Sequence, residues 1–142
     1  YIIEAGALAY VEDVAFDLSE IQTANCYVVT SAGSYKFNAS VIGNGADGIL
    51  PDAEFHTSEP TISPSSVEVL WETNGSNVKA VGEVVPNATL TEDGYVNFFA
   101  TGVEGNALIA AKDADGKVIW SWHIWVTDAP QEQQYVNCIK II

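Results

Sequence analysis

GNALIAAKDADGKVIWSWHIWVTDAP, Gly105–Pro130, is the stretch on which the reading of this chain turns. Two apolar runs flank Asp113-Ala-Asp-Gly116, and Asp-Gly between alternating apolar segments is hairpin chemistry. The spacing predicts strands over Asn106–Lys112 and Val118–Thr127. Side chains of a strand alternate between two faces. Val118, Trp120, Trp122, Ile124 and Val126 form a wholly apolar face, and Ile119, Ser121, His123 and Trp125 a mixed one. Burying a tryptophan removes roughly 150–250 Å² from water, about 4–6 kcal/mol gross at ~25 cal/mol/Å². Trp120 and Trp122 are therefore expected in the core, between two stacked sheets.

The mixed face supplies the candidate ligand-binding residues: Trp125, His123 and Ser121. Such a strip suits sugar recognition, because an indole stacks on a pyranose while neighbouring polar groups take its hydroxyls. The competing reading is a strand buried on both sides, its histidine satisfied by a backbone carbonyl. Trp71 and Glu72, on VEVLWET, extend the strip if their strand neighbours the first.

Outward from the hairpin, short apolar segments alternate with Gly, Asn, Asp and Pro, and no sustained helical stripe occurs. Strands are expected at Asn25–Thr30, Ser34–Val41, Val67–Thr73, Asn87–Thr91, Tyr95–Thr101 and Gln134–Ile142, besides the two already named. Turn signals fall between them: SAGS at 31–34, TNGSN at 73–77, EDG at 92–94 and DADG at 113–116. The fold class is all-β, an antiparallel immunoglobulin-like β-sandwich of about 7–9 strands with Greek-key connections. One domain spans 1–142, with 1–20 an edge strand or lead-in linker. Residues 131–142 form a C-terminal strand able to pair with a neighbouring subunit's sheet edge. The stretch 43–66 holds three of the five prolines and reads as a long surface excursion.

Nineteen acidic residues face five lysines and no arginine, for a net charge of −14. That field repels phosphate backbones and anionic lipid, so no nucleic-acid partner is expected and binding to an acidic membrane surface is disfavoured. No apolar run approaches the ~18–20 residues a membrane helix needs, so no direct membrane insertion is expected. The chain begins without methionine, and we read it as a piece of something longer whose targeting segment lies outside.

Cys26 and Cys138 allow two arrangements. A bridge between them would close a loop of over a hundred residues, worth roughly 4–5 kcal/mol in the chain-entropy model. Each also sits in an apolar segment (NCYVVT, NCIKII), where a free buried thiol acts as a small hydrophobe. Neither has metal or redox spacing. Asp113-Ala-Asp115-Gly116 resembles the start of a calcium loop but lacks its later ligands, and a tight turn accounts for it. Sequons at Asn38, Asn74 and Asn87 are read as incidental. His56 and His123 are the two histidines, and no nucleophile elbow, zinc-protease helix or phosphate loop occurs. No catalytic residue, metal or cofactor is assigned, and the chain is not expected to be an enzyme.

TANCYVV (23–29), GSYKFNASVIGNG (33–45), VEVLWET (67–73), DGYVNF (93–98) and the opening stretch follow one another in that order. Together, over Thr23–Pro130, they resemble a β-rich module of large surface and secreted proteins of gut Bacteroidetes, set before a Fibrobacter-type paralogous (FISUMP-like) domain in a fimbrillin- or adhesin-like context. The resemblance implies a non-catalytic structural or adhesion module at the cell outer surface, partnered by other subunits of a larger assembly. Glycan binding, read from the strip of Trp125, His123 and Ser121, is the second class, and a virion decoration or fibre domain of a phage of such hosts the third. The apolar QYVNCIKII end departs from the family pattern, which runs into an asparagine-rich stretch.

Overall fold

The computed structural model describes residues 15–45, 60–75, 77–79, 81–128, 134–136 and 139–141. These form strands and turns only, with no helix among the described residues. In chain order the strands are β1 (Phe16–Asp17), β2 (Cys26–Val29), β3 (Gly33–Asn38), β4 (Ser66–Asn74), β5 (Asn77–Lys79), β6 (Ala88–Leu90), β7 (Tyr95–Ala100), β8 (Gly105–Lys112), β9 (Val118–Val126), β10 (Gln134–Val136) and β11 (Ile139–Ile141). A four-stranded sheet has the order β1-β3-β7-β6 and a five-stranded sheet the order β2-β9-β8-β4-β5.

Turn chemistry sets the sequential pairs. Asp113 Oδ1 accepts the backbone N–H of Asp115 and of Lys117, each at 2.9 Å, and Gly116 takes φ 80°. A left-handed residue there is nearly free for glycine and strained for others. The carboxylate that opened the calcium-like motif is thus spent on its own hairpin. β8 and β9 then pair antiparallel from Gly105↔Val126 to Lys112↔Val118.

The two sheets face each other through aromatic rings. Phe37 of β3 stacks on Tyr27 of β2 at 4.9 Å and tilts against Trp122 of β9 at 5.0 Å. Trp122, Phe37, Ile109, Ile124 and Val96 are fully buried. Trp122 is the core tryptophan the alternation predicts. Trp120 reaches only the margin: it is half-buried against the core, and its indole N–H donates to Asn25 Oδ1 at 3.2 Å.

Two expectations need correction. The sheets are mixed rather than antiparallel, because β1 pairs parallel with β3 and β2 parallel with β9. Hairpin turns announce only sequential antiparallel neighbours, whereas a parallel pair needs a long crossover and leaves no local signal. Gln134–Ile142, expected as one strand, contains β10 and β11, paired antiparallel with each other. Most of the excursion, including His56, lies outside the described residues, as does Cys138. Val41 and Thr61 bridge the excursion's two ends.

Candidate functional site

Register brings the predicted strip onto the outer face of the five-stranded sheet. On β9, Trp122, Ile124 and Val126 point inward and are buried, so Ser121, His123 and Trp125 point outward. β8 presents Asn106 opposite Trp125, Leu108 opposite His123 and Ala110 opposite Ser121. β4 presents Trp71 opposite Leu108 and Thr73 opposite Asn106. β2 presents Cys26 beside His123 and Val28 beside Trp125. Two rows therefore cross the sheet: Cys26, His123, Leu108, Trp71, and Val28, Trp125, Asn106, Thr73.

All four sequence-predicted residues share this face, but they are not contiguous. β8 separates Trp71 from the β9 strip, which at one strand spacing each way puts their backbones about 10 Å apart. Trp71 is 39% exposed and Trp125 37%, with Leu108 half-covered between their strands. Ser121 is half-buried and lines a separate open hollow of about 320 Å³ with Asn25, Val118, Ile119 and Trp120.

Glu72 does not extend the strip. A bulge at Leu70, between Val69 and Trp71, shifts the register of β4 against β8 by one residue. The shift turns Trp71 outward and drives Glu72 into the interior, where it is fully buried. Its carboxylate there accepts four successive backbone amides: Gly82, Glu83 and Val84 at Oε1 (3.1, 3.0 and 3.0 Å) and Val85 at Oε2 (2.6 Å). Successive amides make an anion-binding concavity, and here the chain's own carboxylate fills it. Glu72 thereby ties the segment leading to the four-stranded sheet onto the five-stranded one.

His123 sits in a polar chain running across three strands. Asn106 Nδ2 donates to Thr73 Oγ1 at 3.2 Å, which turns the amide oxygen toward the histidine. His123 Nε2 lies 2.6 Å from that oxygen and must therefore carry the hydrogen and donate it. The other ring nitrogen, Nδ1, is left with a free lone pair 3.5 Å from the thiol Sγ of Cys26, which is exposed. Burial pushes the His123 imidazole below its ordinary value and the Cys26 thiol above its own. Both shifts favour the neutral pair, with Cys26 S–H donating to Nδ1.

The strand reading places His123 on the correct face but gives no sign of Cys26, Asn106 or Thr73 as its partners. Alternation alone would have put Asn106 and Cys26 outward on their own strands. Only the parallel pairing of β2 with β9 brings the thiol to the ring. Among the described residues no cluster of histidine, cysteine and carboxylate groups could hold a metal ion. No protein-family model, curated protein or solved structure matches the chain.

Proposed function

We propose that this chain is a non-catalytic structural or adhesion module with an immunoglobulin-like sandwich, working at the outer surface of a bacterial cell through the outer face of its five-stranded sheet. The observation that carries the reading is the pair of indoles, Trp71 and Trp125, each more than a third exposed on rigid strands flanking Leu108. Tryptophans placed so leave apolar area unburied in the isolated chain and are the commonest anchors of protein interfaces. The strand orders β3-β7-β6 and β9-β8-β4 support the immunoglobulin-like topology, since they follow the B-E-D and G-F-C arrangement of that fold. β1 stands where strand A would, beside B, but runs parallel to it, and β2 is added along the G edge. The resemblance of Thr23–Pro130 to surface modules supports the extracytoplasmic setting, and the acidic surface suits a soluble exposed domain.

A second reading, glycan binding, is favoured by the polar groups beside the rings. Asn106 and Thr73 share a row with Trp125, and His123 shares one with Trp71. Indoles set about 10 Å apart across the sheet, with amide and hydroxyl groups between, can engage separate units of one saccharide chain.

One pair of measurements separates the readings. Sedimentation velocity of the purified chain should show concentration-dependent self-association that the Trp71→Ala/Trp125→Ala double variant abolishes while its circular dichroism is unchanged. Polysaccharide-array binding lost in Trp125→Ala would favour the glycan reading instead. A chain that stays monomeric and binds no polysaccharide would overturn both.

A further inference from the structure

We infer that Cys26, His123 and Asn106 form a base-assisted nucleophilic thiol, a stoichiometric exchange site that takes a disulfide-bearing partner into a mixed disulfide at Cys26. The inference is independent of which ligand the neighbouring indoles engage. Its basis is geometric: a nucleophile within hydrogen-bond reach of a base, and that base oriented by a third group. Cys26 Sγ faces His123 Nδ1 at 3.5 Å, Nε2 donates to Asn106 Oδ1 at 2.6 Å, and Thr73 holds the amide from behind at 3.2 Å. Here each ring nitrogen has its own partner, and the partners come from different strands.

The chemistry of the surroundings selects the co-reactant. Attack on a carbonyl builds an oxyanion that needs preorganised donors around it. Attack on a disulfide spreads charge along three in-line sulfurs and asks only for an unobstructed approach, which an exposed sheet face provides. Leu108, in the row of Cys26 and His123, and Val28, in the next row, offer soft apolar surface to a sulfur-bearing group. In the step itself, the Cys26 S–H proton moves to His123 Nδ1 as sulfur bonds to one sulfur of the partner disulfide. The partner S–S bond breaks, and its departing thiolate takes the proton back from the imidazolium. One disulfide and one thiol enter, and one disulfide and one thiol leave, so no outside oxidant is required. Asn106 accepts from Nε2–H throughout and is a positioning residue.

The pair reacts from its neutral form. The groups sharing its face on the next two strands of the sheet are Leu108 and Asn106 of β8 and, beyond them, Trp71 and Thr73 of β4, all uncharged. Glu68 and Lys112, on the same face, bond to one another. Glu104, near the β9 end, accepts the Thr127 hydroxyl, and Asp128 lies exposed beyond it. An unassisted thiol reacts in proportion to its thiolate, so its rate climbs about tenfold per pH unit below its pKa. A thiol served by neutral imidazole instead reaches a plateau between the histidine and cysteine pKa values.

The test is the pH–rate profile for reaction of the full chain, carrying Cys138→Ser, with the aromatic disulfide dithionitrobenzoate, the product assigned by intact mass. Cys26→Ser should show no adduct. The Cys138→Ser chain should show the plateau, and His123→Gln should lose it and slow by at least about tenfold at neutral pH. Asn106→Ala, which keeps both thiol and imidazole, should lower the plateau without moving the high-pH limb. Thermal melts of each variant report the fold separately. A log-linear profile in the parent chain, or His123→Gln and Asn106→Ala profiles that superimpose on it, would overturn the assignment.

Discussion

Glu72 shows how much one side chain can be asked to hold. A carboxylate with no exposure must find partners for its oxygens, and this one finds four amides in a row, Gly82 to Val85. Hydrogen bonds to a charged group contribute about 1.5–3 kcal/mol each in favourable cases, and orphaned amides cost about 1–3. Glu72→Gln keeps the shape but turns an N–H₂ toward one of those donors. We expect it to lower unfolding free energy by about 2–4 kcal/mol in denaturant titration, with faster hydrogen exchange concentrated at amides 82–85. The second expectation concerns His123, whose imidazole burial pushes down from 6.5. Because the unfolded chain binds the proton more readily, stability held above pH ~6.5 is lost as pH falls through the depressed folded value. Melting temperatures of the parent chain should therefore drop relative to His123→Gln below that pH. Parallel curves for the two proteins would refute it.

Between strands, the closest constraint is Gly105, the first residue of β8. A Cβ there would lie 2.2 Å from the Thr73 carbonyl oxygen and 3.0 Å from Val84 Cγ2, so β4 can approach β8 only because that atom is missing. Gly105→Ala should force the strands apart where Asn106 meets Thr73, destabilising by about 1–3 kcal/mol as overpacking does. Chemical unfolding would measure it, and an unchanged midpoint would contradict the close approach. At this scale the sequence is a good guide where local chemistry governs. The predicted strands at 95–101, 106–112 and 118–127 match β7, β8 and β9 to within a residue or two. Asp-Gly and Asn-Gly mark the β8–β9 and β4–β5 turns. Phe16–Asp17 is ambiguous between an edge strand and a linker in the sequence, and Asn77–Lys79 has no apolar run long enough to declare itself. VEVLWET misleads for a different reason. Consecutive residues of a strand point to opposite faces, so Trp71 and Glu72 cannot both extend the strip, and the extra residue at Leu70 decides that Trp71 does and Glu72 is buried.

For the molecule entire, the division between inside and outside is legible in β9 from Trp122 onward, but not at Trp120, which the same alternation puts in the core and which reaches only its margin. Trp122 is the seam of the two sheets, as its neighbours in the alternating run require, and Trp125 and His123 lie on the opposite side. What could not be read was adjacency across the chain. The sequence joins Trp71 to the strip only on condition that their strands are neighbours and gives no sign of the Cys26–His123–Asn106 chain, because both depend on which strands lie side by side. That information resides in the packing of two complete sheets, with Phe37 touching Tyr27 and Trp122 at once, rather than in any one segment.

The parallel union of β2 with β9 also has a consequence in time. Cys26 and His123 stand 97 positions apart, so during synthesis at about 5–20 residues per second the earlier strand emerges roughly 5–20 seconds before the later one exists. Throughout that interval an apolar ribbon of Tyr27 and Val29 waits on the nascent polypeptide without its mate. Chaperone occupancy in ribosome-associated fractions should be heaviest in this window and fall once Trp122 has cleared the exit tunnel.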